Sequence, residues 1–134
     1  KVIVNDNIRG CIVRPQSVLK FNDKDFFVEV VRKVPNWQEK LTQKLVRYET
    51  VIENYNNLNI KLKTKPVLII QGESYEHMFE IMNLYEENNY KNMDVIFTFD
   101  RILLYQLENA FFVVDHKESK KGIFSFLFKG IKNR

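Results

Sequence analysis

The run Phe26-Phe27-Val28-Glu29-Val30-Val31 constrains this chain more than any other stretch. It is apolar on both alternating sets of positions, the pattern of a central strand covered on both sides, so the fold needs a sheet with material above and below it. Glu29 breaks the pattern. Burying an ionised carboxylate is costly unless it is paired or bound to a cation. The fold must therefore deliver a partner to that point, and Arg14, Arg32 and Lys44 are the candidates for an ion pair.

β signals dominate the first third of the chain. Val2-Ile3-Val4 is a β-branched run closed by Asn5-Asp6-Asn7, and Cys11-Ile12-Val13-Arg14 and Ser17-Val18-Leu19-Lys20-Phe21 follow. The polar Asn22-Asp23-Lys24-Asp25 reads as a hairpin loop that pairs residues 17–21 antiparallel with 26–32, making a β-meander. After Val34-Pro35 the period changes. Trp37, Leu41, Leu45, Tyr48, Ile52 and Tyr55 recur at spacings of four and three behind a capping-box arrangement of Asn36 and Glu39, which predicts a long helix over 36–56. Pro66-Val67-Leu68-Ile69-Ile70 reads as a strand joined through that helix as a crossover. Ser74 caps a second helix, with Met78, Ile81, Met82 and Tyr85 on one face and its end at Asn88-Asn89. Residues 94–99 form a further strand, 100–107 a helical turn and 111–114 a last strand. Helices between apolar strands predict an α/β fold, a mixed sheet built as a β-meander and then α-β-α-β, with helices on both faces.

With 134 residues, 45% hydrophobic, and only 4 Gly and 3 Pro, the chain has the size and mix of one domain. Cys11 is the lone cysteine, and with only His77 and His116 beside it no Cys/His metal cluster is available. A lone cysteine and the lack of any apolar run near the ~20 residues of a membrane span predict a cytoplasmic protein without integral membrane contact. The chain opens on Lys1 rather than Met, so an upstream region is expected. Residues 1–114 carry 15 basic and 15 acidic side chains; the whole net charge of +4 lies in 115–134, where Lys117, Lys120, Lys121, Lys129, Lys132 and Arg134 face Asp115 and Glu118. The expected organisation is thus a neutral domain over 1–114 and a basic amphipathic tail over 115–134, with those six side chains as the DNA-contact candidates.

There is no phosphate-binding Gly-rich loop, no G-x-S-x-G and no H-E-x-x-H, which removes the commonest nucleotide, hydrolase and metalloprotease chemistries. What remains is Glu29 with Lys44 and Tyr48. The last two lie four apart on the long helix, share a face, and must fold back over the strand that carries Glu29. The alternative assigns Glu29 to a strand-end ion pair, Tyr48 to the core and Lys44 to the surface.

Arg14-Pro15-Gln16-Ser17-Val18-Leu19, the Phe26 to Arg32 run, Lys44-Leu45-x-x-Tyr48, Pro66 to Ile70 and Val95-Ile96-Phe97-Thr98 together resemble the replication-relaxation family, distant relatives of the PD-(D/E)XK or restriction-endonuclease-like fold. The likeness spans about residues 11–105. It implies a protein of plasmids or other mobile elements, acting in DNA replication or in transfer such as conjugation, often behind an upstream winged-helix DNA-binding domain. It also implies a site of Glu29, Lys44, Tyr48 and Gln16. In active nucleases of this fold an Asp after the Pro and the strand carboxylate hold Mg²⁺, and a Lys two residues on steadies the attacking water. Here those positions are Gln16 and Val31. A hard divalent ion wants anionic oxygen, and Glu29 alone offers one formal charge.

Three functions follow. The first is a catalytically degenerate nuclease-like domain that binds DNA, a protein partner or both, with no cofactor and no metal beyond what Glu29 could touch. The second is a Mg²⁺-dependent DNA nuclease using Glu29 and Lys44. The third is a module docking on a protein or a membrane surface through Ile123, Phe124, Phe126, Leu127, Phe128 and Ile131 of the tail. Oligomeric state has no sequence signature here.

Overall fold

A computed structural model describes residues 1–4 and 11–100, together with the backbone of 112–113 and 121–122. The elements in order are β1 (Val2–Ile3), β2 (Ile12–Val13), β3 (Ser17–Phe21), β4 (Lys24–Val30), α1 (Trp37–Glu53), a 3₁₀ turn (Tyr55–Asn57), β5 (Val67–Gly72), α2 (Tyr75–Asn88), β6 (Asp94–Phe99), β7 (Phe112–Val113) and β8 (Lys121–Gly122). The main sheet has the order β3-β4-β5-β6-β7-β8 and is mixed. β3 is antiparallel to β4, β4, β5 and β6 are parallel, and β7 and β8 return antiparallel. The chain is therefore α/β with a mixed sheet, as the alternation of elements predicts.

The expected meander is divided. β1 and β2 pair with each other in a separate two-stranded ribbon, Val2 opposite Val13 and Ile3 opposite Ile12. Only β3 and β4 belong to the main sheet, because the ribbon is held elsewhere: Ile3 exchanges hydrogen bonds with Asn59, and the Cys11 thiol lies 3.7 Å from the Arg47 carbonyl on α1. The hairpin loop is also shorter than its polar stretch suggests. Phe21 pairs with Lys24, leaving Asn22 and Asp23 as a two-residue turn with φ of 55° and 63°. Positive φ at both central positions is the turn that matches strand twist, and Asn and Asp tolerate it.

Both helices lie on one face of the sheet, whereas the sequence pattern predicts one on each. Register sets Phe27, Leu68 and Val95 in one row and Glu29, Ile70 and Phe97 in the next. These rows share one core cluster with Leu41, Leu45, Tyr48 and Ile52 of α1 and Met78, Ile81 and Met82 of α2. The cause is strand order. β4, β5 and β6 step across the sheet in one direction, and two crossovers of the same hand then lay their helices on the same side; covering both faces needs a reversal of order. The opposite face carries a smaller cluster of Phe26, Val67 and Ile96.

Helix ends follow local chemistry with one departure. Asn36 stands at the N-cap of α1 in a left-handed conformation (φ 63°) and its side chain makes no capping bond, so the capping box does not form. α1 stops at Glu53, and Tyr55 belongs to the 3₁₀ turn. Ser74 caps α2 as expected, accepting from the His77 N–H at 3.0 Å, and Asn89 closes it in the left-handed region. Asp25, 1% exposed, clasps the far end of the crossover: its Oδ2 accepts from the backbone N–H of Lys63 at 2.7 Å and of Thr64 at 2.9 Å. Among the described residues no helix is long and apolar enough to cross a membrane. Of the expected helical turn over 100–107 only Asp100 is described, and 101–107 lie outside the described residues.

Candidate functional site

Alternation along β4 sends Phe27, Glu29 and Val31 to the helix-covered face. α1 follows β4 directly and lies across that face, so its Lys44 and Tyr48, one turn apart, come down on Glu29. Glu29 is 4% exposed and Tyr48 is fully buried. The Tyr48 hydroxyl donates to Glu29 Oε1 at 2.8 Å, and Lys44 Nζ donates to Oε2 at 3.4 Å. Burial, reinforced by the negative charge of Glu29, drives the Tyr48 phenol far above its ordinary pKa, so it remains a donor at all relevant pH. Lys44 keeps 45% of its side chain in solvent. The Phe27 ring stands 6.2 Å from that of Tyr48 and walls the pair on the core side.

The partner that Glu29 requires is thus Lys44 together with Tyr48. Arg32 is instead bound to Asp100 at 2.7 Å, and Arg14 is exposed. Gln16 does not join the cluster. It is exposed, its backbone N–H donates to the Val28 carbonyl at 2.7 Å, and its side chain makes no bond to Glu29. Val31 is buried in the core at 7% exposure, on the same face of the sheet as Glu29. Nuclease-type chemistry would need a divalent cation here, and the donor set does not fit one. Glu29 is the cluster's single carboxylate, both of its oxygens are engaged by groups of the chain itself, and no group of three potential metal ligands exists among the described residues. The proposed DNA-contact residues Lys117, Lys120, Lys129, Lys132 and Arg134 lie outside the described residues, as does the side chain of Lys121, whose backbone belongs to β8.

A second polar cluster, which the sequence did not suggest, sits at the carboxyl ends of the parallel strands. Asp100 accepts from Arg32 at 2.7 Å and from Gln71 Nε2 at 2.7 Å, tying the ends of β4, β5 and β6 together. Lys33 reaches Glu80 on α2 at 2.8 Å. His77 is fully buried, accepts on Nδ1 from the Glu73 N–H at 2.9 Å, and stands edge-on to Trp37 with centroids 4.6 Å apart. Burial lowers its pKa, opposed by the charges of Glu73 and Glu80. Gly72 permits this close seat, since a Cβ there would lie 3.2 Å from His77 Nδ1 and from the Met78 backbone nitrogen. Arg32 and Asp100 stand 68 positions apart, so only the parallel register unites them.

Comparison with protein-family models, with curated proteins and with solved structures returns no match to this chain.

Proposed function

We propose that this chain is a non-catalytic binding domain of restriction-endonuclease-like ancestry, of the replication-relaxation kind, that acts by contacting DNA or a protein partner in the replication or transfer of a plasmid or other mobile element. The observation that carries the non-catalytic reading is the closed state of Glu29. A carboxylate that serves a metal lies open to solvent or substrate and is joined by further anionic ligands. This one is buried and spends one oxygen on Tyr48 and the other on Lys44. DNA contact is assigned to the basic tail, with the electrically neutral body left for protein contact.

The test is incubation of the purified chain with Mg²⁺ or Mn²⁺ and plasmid, linear or single-stranded DNA, alongside fluorescence anisotropy of a labelled duplex. No cleavage above background and weak, salt-sensitive binding are expected. Cleavage that disappears in Glu29→Ala establishes the nuclease alternative instead.

A further inference from the structure

We propose that the outer edge of the main sheet pairs with the same edge of a second copy of this chain, β3 against β3, antiparallel about Leu19. β3 ends the strand order, and among the described residues no strand lies beyond it. All of its residues are exposed, Val18 at 40% and Leu19 at 46%. The two-residue turn fixes which groups this edge offers. In a ladder closed that way Ser17, Leu19 and Phe21 direct their backbone groups toward β4, and Val18 and Lys20 direct theirs outward. Among the described residues nothing pairs with these outward groups, and an edge of that kind is a template for another strand.

The edge is complementary to itself. Antiparallel pairing about the central residue sets Leu19 against Leu19 of the second copy, Val18 against Lys20, and Ser17 against Phe21. The outward-facing residues Val18 and Lys20 then meet each other, so every outward N–H finds a C=O across the two-fold axis. Leu19 meets its counterpart at a non-hydrogen-bonded pair, where side chains approach most closely. Val67, Phe26 and Leu19 are register partners across β5, β4 and β3, so their apolar row continues unbroken into the second copy. Lys20, the charged residue of β3, faces Val18 rather than itself, and its ammonium is drawn to Asp25 Oδ1 at 3.7 Å and the Lys61 carbonyl at 3.3 Å.

A strand-edge contact of this size gives a weak dimer, so sedimentation equilibrium of the intact chain from about 10 µM to about 1 mM is the range to examine. Association should rise through that range, and amide exchange at Val18 and Lys20 should slow with it. Leu19→Lys places like charges at the two-fold axis and should lower the association constant about tenfold or more. Val18→Pro removes an outward N–H without touching the ladder to β4 and should act likewise, so either variant decides if the other fails to fold. A chain that stays monomeric throughout, or a dimer indifferent to both substitutions, overturns the proposal; the second result assigns association to another surface.

Discussion

The buried Glu29 depends more on a neutral hydroxyl than on its cation. Tyr48 is fully buried and holds Oε1 at 2.8 Å, whereas Lys44 reaches Oε2 at 3.4 Å from a half-exposed position. Tyr48→Phe leaves a carboxylate oxygen buried without a donor and should cost about 1–3 kcal/mol. Lys44→Met should cost about 1 kcal/mol or less, because solvent screens the ion pair. Urea unfolding of the two variants checks the order, and the reverse order would make the ion pair the dominant partner. His77 supplies a pH dependence. Its folded pKa lies below the ordinary 6.5, from burial first, with Glu73 and Glu80 opposing and Lys33 and Arg32 adding to the fall. As pH drops, the unfolded chain takes up the proton first, so the contribution is present above 6.5 and is lost as pH falls through the lower folded value. A proton on Nδ1 would also confront the Glu73 N–H from which that nitrogen now accepts. Thermal midpoints at about pH 7.5 and about pH 5.5 should differ more in the native chain than in His77→Gln, which cannot titrate in that window.

At the scale of elements, the hairpin β3–β4 carries strain in its turn. Asp23 holds φ at 63°, where Gly would do so without steric cost, and Asn followed by Gly is the favoured pair for this turn. Asp23→Gly should stabilise by about 0.5–1 kcal/mol, read from the thermal midpoint. The existence of β4, α1, β5, α2 and β6 was legible because each carries a period that survives in isolation, from the apolar run of β4 to the four-and-three spacing of α1. What the period could not carry was placement. Nothing local tells Ile12–Val13 to pair with Val2–Ile3 rather than with β3, since the decision is made by Asn59 and α1. The site was legible to the same degree. Lys44 and Tyr48 were readable from helical spacing, while Gln16 entered through resemblance alone and is tied beside them by its backbone bond to Val28 rather than by its side chain. The tie between Arg32 and Asp100 was invisible because it is a property of parallel register.

For the whole molecule, charge and topology are unevenly distributed. Since 115–134 holds the entire net charge and also contributes Lys121–Gly122 to the sheet, neutralising the tail tests DNA contact more cleanly than removing it. Replacing Lys117, Lys120, Lys121, Lys129, Lys132 and Arg134 by Gln should abolish binding and flatten its dependence on salt, with the logarithmic slope falling by about 0.9 for each phosphate no longer neutralised. Unchanged binding would move the contact elsewhere. The clasp made by Asp25 bears on time rather than on final stability alone. Parallel pairing of β4 with β5 must await closure of a loop that contains all of α1, whereas the β3–β4 hairpin forms from neighbours. By capturing the amides of Lys63 and Thr64 at the head of β4, Asp25 stations the returning chain beside its partner just before Val67 enters the sheet. Asp25→Ala should therefore slow refolding more than it speeds unfolding in denaturant-jump kinetics, the signature of a contact already made at the barrier. The hairpin is then the seed on which the parallel strands condense, with a carboxylate at its rim that shortens the search for register.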